Sequence, residues 1–383
     1  MSTFDQRHIR RAFSRSAAGY DAAAALQHEV EKRLLESLDY FALRQGQDAA
    51  DPKVVLDVGC GPAHAAAAMR KRWPKAQVVA LDLALPMLRE AKKQAGWWKP
   101  FQRVCADLRA LPVAEASVDV LFCNLSLQWV DDLPAAFAGF RRVLKPGGLL
   151  VCSTFGPETL QELRDAFAQA DDAPHVSPFP AIAQFGDALM LAGFRDPVLD
   201  RDRFTLTYDD LPALMRELRA MGATNALHHR RHTLTGRARF AAAAAAYEPL
   251  RRADGKLPST WDVIYAHAWA PPAGAPIREQ GEDIAAVPLS KIPIRRRGEE
   301  LRCGAPSHGP AAARYASRRS GIVAAHLPDP VLQVVVVGDA RDAVVADIEE
   351  GAARQRVGLA IRRWQAFVGM QVLAMHHVFG GGA

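Results

Sequence analysis

The residues of this chain best suited to chemistry gather in Asp57-Val58-Gly59-Cys60-Gly61-Pro62 and in Asp82, ~20 residues further on. Glycines between an apolar run and a helix-favouring stretch let backbone N–H groups approach a ligand with no Cβ in the way. A carboxylate at the end of the next strand can accept both hydroxyls of a ribose. Together these features predict an adenosine-type ligand. The third glycine of a dinucleotide fingerprint is absent, because Ala63 and His64 follow Pro62. Asp57 is awkward beside a pyrophosphate but suits a cationic amino group. S-Adenosyl-L-methionine therefore fits the loop better than NAD.

Such residues need a frame. Lys53–Val58 is an apolar, β-branched run of strand length that stops at the glycine loop. Beyond it, helix and strand patterns alternate: helix Ala65–Arg72, strand Gln77–Leu81, helix Leu85–Gln94, strand Phe101–Cys105, strand Val118–Asn124, helix Leu133–Val143 and strand Leu149–Thr154. This is the rhythm of an α/β, doubly wound, mostly parallel sheet. Residues 5–40 read as one helix, a lid or flank. After Phe155 the pattern predicts helices at Glu158–Ala170, Ala181–Ala192, Leu211–Met221 and Gly236–Leu250, with strands at Phe204–Tyr208 and Trp261–Ala270. The division that follows is 1–50 lid, 51–270 main domain with inserted substrate-side helices, and 271–383 linker and C-terminal extension. Within the last, Pro271–Ser320 has little periodicity, Val331–Val337 is a β-type run, and Asp342–Phe367 has helical spacing.

Composition narrows the classes. Hydrophobic residues at 49% and charged residues at 23% are ordinary globular usage, and a net charge of +6 is modest for 383 residues. Locally the excess is denser, as in Arg295–Arg297 and Arg318–Arg319. The five cysteines, Cys60, Cys105, Cys123, Cys152 and Cys303, are scattered, which argues for free thiols rather than disulfides or a thiolate metal site. The first residues lack the apolar stretch of a signal peptide, and no run approaches the ~18 apolar residues of a membrane span. The expected place is the cytoplasm.

The blocks Val55–Pro62, Leu81-Asp82, Ala106-Asp107-Leu108, Asp119–Asn124 and Leu144-Lys145-Pro146-Gly147-Gly148 resemble the successive motifs of class I S-adenosylmethionine-dependent methyltransferases. That resemblance implies a Rossmann-like, seven-stranded sheet. A narrower one comes from Phe13–Asp21 with Gln27, Asn124–Trp129, Met215-Arg216 and Gly222-Ala223-Thr224-Asn225, which are similar to the malonyl-acyl-carrier-protein O-methyltransferases of biotin synthesis. It covers about residues 5–270. It implies transfer of a methyl group from S-adenosyl-L-methionine to the free carboxylate of malonyl carried on acyl carrier protein, priming pimeloyl synthesis. A carboxylate is already a nucleophile at neutral pH, so no catalytic acid or base is expected; positioning and desolvation are.

Carried over by that resemblance, Asp57, Gly59 and Gly61 would hold the methionine part, Asp82 the ribose, Leu83 one adenine face, Asp107 the adenine amino group, and Leu108 would pack nearby. Asn124 would line the methyl-transfer mouth with Gln128 and Trp129 beyond it, and Tyr20 and Gln27 would close over the cofactor. Arg216, or Arg219 at i+3, would orient the malonyl carboxylate together with Asn124 and Trp129. The carrier protein is acidic, and Arg230, Arg231, Arg237 and Arg239 with His228, His229 and His232 form the candidate basic patch. No zinc site is expected there, because no further ligand completes His228 and His232. Ala63 stands where the family commonly has glycine, and the chain from about Glu299 has no counterpart in the resemblance. The other readings are a methyltransferase for another small acid or a quinone-like acceptor, and a non-catalytic assembly factor on this fold. Intact Asp57, Gly59, Gly61, Asp82 and Asp107 weigh against the last. Nucleic-acid modification ranks low, because Asn124-Leu125-Ser126-Leu127 stands where an Asn-Pro-Pro-aromatic signature would.

Overall fold

In the computed structural model, residues 3–45, 51–96, 100–233, 235–272, 277–279, 282–284 and 335–337 are described. Four parallel strands form the heart: β1 (Val54–Val58), β2 (Gln77–Asp82), β3 (Gln102–Cys105) and β4 (Val118–Cys123). The central residues of these strands are buried, which is why they read as continuous apolar runs rather than alternating ones. β5 (Leu144–Phe155) is parallel to β4; β7 (Leu257–Trp269) runs antiparallel between β5 and β6 (Arg195–Tyr208). The order β3-β2-β1-β4-β5-β7-β6 reverses direction between β1 and β4, and the crevice beyond their carboxyl ends is where open α/β sheets bind ligands.

Helices cover both faces. On one lie α3 (Ala25–Glu36), α4 (Asp39–Gln45), α5 (His64–Arg72) and α6 (Leu85–Ala95), burying Leu34, Phe41, Met69 and Leu88. On the other, α7 (Leu133–Val143) and α9 (Ile182–Leu191) bury Phe137, Phe140 and Phe185. α7 starts where the Asp132 carboxylate accepts from the Ala135 N–H, with Pro134 in its first turn. A third apolar cluster joins α8 (Gln161–Ala168), α10 (Leu211–Ala220) and α11 (Arg237–Tyr247) to the start of β7 through Leu163, Leu214, Tyr247 and Trp261. Among the described residues no helix is long and apolar enough to cross a membrane.

The structure corrects several expectations. The single helix over 5–40 is broken into α1 (Gln6–Ser16), a 3₁₀ turn, α2 (Tyr20–Ala23) and α3; Gly19 and Ala24 leave helical geometry, which turns Tyr20 toward the sheet ends. β6 begins nine residues before the apolar stretch Phe204–Tyr208. It is an edge strand with alternating exposure, so its exposed positions include Asp196, Asp200, Arg201 and Arg203, which hides it from a search for apolar runs. Inside the expected linker, β8 (Ile277–Glu279) and β9 (Glu282–Ile284) pair antiparallel, their two isoleucines opposite each other and too few to register as a pattern. The β-type run ending at Val337 supplies β10 (Val335–Val337), an antiparallel addition to the outer edge of β3. Arg295–Arg297, Arg318–Arg319, Cys303 and Asp342–Phe367 lie outside the described residues. Cys60, Cys105, Cys123 and Cys152 are free thiols.

Candidate active site

The glycine loop is fastened to the end of β2. Gly59 and Cys60 donate to the Leu81 carbonyl at 2.7 and 3.0 Å, and the Gly61 N–H donates to Asp82 Oδ2 at 2.9 Å, while Ala84 N–H takes Asp82 Oδ1 at 2.7 Å. Gly59 has φ +69° and a Cβ there would sit 2.0 Å from Ser126 Oγ, so only glycine fits. At Gly61, φ +51°, a Cβ would meet no protein atom within 4 Å; that side of the backbone is open. Ala63 is left-handed at φ 66° and fully buried, a strain that its packed methyl partly offsets.

Two joined recesses flank this loop. The larger encloses about 740 Å³ of empty space, part of it open to solvent. Asp82, Asp107 and Asn124 form its floor, Ile9, Phe13 and Tyr20 its roof, and Trp129 a wall. The smaller, about 420 Å³, runs under α3 and is lined by Gln27, His28, Glu31, Asp57 and His64. Tyr20, Gly59, Gly61, Asn124 and Leu125 border both. An adenosyl group in the larger recess and an amino-acid tail in the smaller match this division.

The smaller recess concentrates acidic groups. Burial, and then the neighbouring Glu31, raise the Asp57 carboxyl well above its ordinary value. Burial pushes Glu31 up to about 7 and Asp82 up to about 6, the latter against two amide hydrogen bonds. Asp57 Oδ2 and Gln27 Oε1 are buried without a hydrogen-bond partner. Unpartnered buried acceptors in an anionic recess are what a cationic ammonium would satisfy, so the residues present fit the aminoacyl end of S-adenosyl-L-methionine. Asp21 of α2 lies 3.0 Å from His64 Nε2 and 3.8 Å from His28 Nε2, tying the lid to the loop at the recess mouth.

The structure brings together Tyr20, Gln27, Asp57, Gly59, Gly61, Asp82, Leu83, Asp107, Leu108, Asn124 and Trp129. Asp107 is gripped by Arg109, whose Nε and Nη2 approach its oxygens at 2.6–3.1 Å, so an adenine amino group would share that carboxylate. Asn124 clamps the lid: its Nδ2 donates to the Gln27 carbonyl and its Oδ1 accepts from Ser153 Oγ. Trp129 packs edge-on against Phe4 and Phe13. Arg216 and Arg219 are not in the crevice. α10 buries Leu211, Leu214 and Leu218, which turns both arginines to solvent, and among the described residues the carboxylate that Arg216 approaches is Asp210, at 3.9 Å.

The expected basic patch is also largely spent inside the protein. Arg230 pairs with Asp5, and Arg231 and Arg239 with Asp171. The His232 ring donates to the His228 carbonyl. Sequence reasoning missed Glu31 and Arg109. Glu31 could have been found at i+4 from Gln27, on the same face of α3.

A methyltransferase-domain family model matches residues 56–152. Among curated proteins the chain is 65% identical over 290 residues to malonyl-acyl-carrier-protein O-methyltransferase of Xylella fastidiosa (strain M23), covering 76% of this chain and 96% of that one. It is 44% identical to the protein of that name from Gallionella capsiferriformans (strain ES-2), over 70% of this chain and 91% of that one. It is 47% identical to the one from Methylovorus sp. (strain MP688), over 70% and 90%.

Proposed function

The chain belongs to the malonyl-acyl-carrier-protein O-methyltransferase family, and on that premise we propose how its crevice works: as a water-excluding clamp around two reactants, with no acid or base. The reaction is transfer of a methyl group from S-adenosyl-L-methionine to the free carboxylate of malonyl-acyl carrier protein. The observation that carries this reading is the 65% identity extending over 96% of the Xylella fastidiosa relative. The place we infer for the reaction is the cytoplasm, and the product's role is to prime pimeloyl synthesis for biotin.

When bound, S-adenosyl-L-methionine supplies a methyl group on an electrophilic sulfonium. Asp82 accepts the ribose hydroxyls with the lone pairs that Gly61 and Ala84 leave free. Leu83 and Leu108 flank the adenine, with Asp107 at its amino edge. Asp57, Glu31 and Gln27 hold the ammonium end from below the lid. Asn124 holds α3 against the sheet, fixing the roof rather than touching a proton in flight. Phe13, Tyr20 and Trp129 keep water from the attacking carboxylate, whose nucleophilicity rises as its hydration is stripped. Residues 51–270 carry this machinery and 3–45 supply its lid.

The test is mass spectrometry of malonyl-loaded carrier protein after incubation with enzyme and S-adenosyl-L-methionine. One methyl group should appear on the acyl end, and Asp82→Ala should abolish it. Cofactor binding without methylation would discard this acceptor and favour another small acid. Absence of cofactor binding would favour an assembly factor.

A further inference from the structure

We propose that the carrier protein docks on the outer face of the lid helix α1, on a stripe formed by Arg7, Arg11 and Arg15 and continued by Arg216 and Arg219 of α10. This deepens the proposed function and rests on it. The three α1 arginines are four residues apart, so they share one face, and all three are exposed. Between Gln6 and Ser16 there is no acidic residue, and among the described residues no carboxylate pairs with any of the three.

Local physics disfavours this arrangement. Like charges at i, i+4 repel along a helix, and Arg7 stands in the first turn, where the helix dipole opposes a cation, although Arg15 in the last turn is favoured by it. A pattern that works against its own helix is the kind of local conflict expected at a functional surface, here one neutralised by an anionic partner. The contrast with the other arginines sharpens the point. Arg230 is committed to Asp5, and Arg231 and Arg239 share Asp171 within the protein, so each offers less charge to a partner than an arginine with no carboxylate beside it.

Position agrees with charge. The inner face of α1 buries Ile9 and packs Phe13 on Leu83 and Trp129, as the roof of the larger recess. Gly222, just past α10, lies so close to α1 that a Cβ there would sit 2.7 Å from Ser16 Oγ. Arg216 and Arg219 are exposed on this adjoining helix, Arg216 approaching Asp210 at 3.9 Å, and add cations beside the stripe. The stripe ends at Arg15, and the chain then turns through Ala17–Gly19 into Tyr20, where the two recesses meet. A carrier seated on α1 delivers its acyl arm to that junction.

The test compares the full chain with its Arg7→Glu/Arg11→Glu/Arg15→Glu variant, none of whose positions lines the crevice. The variant's KM for malonyl-carrier should rise at least tenfold with kcat and S-adenosyl-L-methionine affinity unchanged, and the rise of the wild-type KM with salt should flatten. An unchanged KM overturns the docking face, as does a fall in cofactor affinity, which would make the arginines structural. So does a larger effect from Arg237→Glu, which would move docking to α11. A wild-type chain that binds cofactor but leaves malonyl-carrier unmethylated defeats the proposed function instead. The docking face is then read by direct binding of unloaded carrier protein to the two chains, equal affinities overturning it.

Discussion

Glu31→Gln should make the protein without cofactor more stable and its cofactor binding weaker. Burial raises the Glu31 carboxyl from 4.5 to about 7. Because this acid is harder to ionise in the folded state, the folded chain holds a proton that the unfolded chain has lost between those values. Stability therefore falls as pH rises through that window, and above about pH 7 the whole penalty is present. The gap corresponds to roughly 3 kcal/mol, and water at the crevice mouth screens part of it, leaving about 1–2 kcal/mol. At pH 8 the neutral amide removes this strain, for a gain in Tm of about 2–6 °C. The same charge is the one proposed to pair with the ligand's ammonium, so affinity should drop by a factor of roughly 5–30. The drop stops there because Asp57, relieved of its neighbour, ionises more easily. Wild-type affinity should also weaken as pH falls from 8 toward 6, as Glu31 takes up a proton, and the variant should lose the part of that dependence that Glu31 supplies, the raised Asp57 carboxyl keeping the rest. Thermal melting without cofactor and calorimetric titration at both pH values read the two signs. A lower Tm, or an unchanged affinity at pH 8, would refute the account of the recess as a cation site.

Two further outcomes are expected. Asp262 is fully buried and accepts from Arg201 Nε at 2.6 Å, Arg201 Nη2 at 2.9 Å and the Glu158 N–H at 3.2 Å. Asp262→Ala should destabilise the fold by about 2–3 kcal/mol while leaving cofactor affinity alone, since it lies outside both recesses; calorimetry and melting check both halves. Deleting residues 299–383 should leave kcat/KM for methyl transfer within about twofold, because the Xylella fastidiosa relative aligns over 96% of its length with 76% of this chain. Loss of soluble, active enzyme on that deletion would overturn the domain assignment, and would point to β10 on the β3 edge as its cause.

The sheet was legible because its strands are buried on both faces. Val54–Val58 and Val118–Cys123 stand out as apolar runs that no surface segment would carry, and Gly59, Gly61 and Asp82 punctuate their ends in chain order. β6 was not, because one of its faces meets water and the alternating charges from Arg195 to Arg203 look like a loop until β7 is known to lie beside them. The lid failed differently. Its residues obey helical spacing from Ile9 to Leu38, and nothing local distinguishes a continuous helix from one that breaks at Gly19 and Ala24 to place Tyr20.

The arginines show where spacing alone stops. The sequence offers Arg216 or Arg219 for the malonyl carboxylate and Arg230 and Arg231 for the acidic carrier protein, and their sequence neighbours do not show which of them stay free for an anion. Folding does, through partners far away in the chain: Asp5 lies 225 residues from Arg230, and Asp171 lies 60 from Arg231. Those two pairs take partly buried carboxylates into internal bonds and leave the exposed stripe on α1 without a carboxylate partner among the described residues. Charge density along a sequence therefore marks cations in number only. Which of them remain to meet a partner is decided by the long-range ion pairs, and in this chain those pairs are the reason the proposed docking face lies on the lid rather than on the histidine-rich loop.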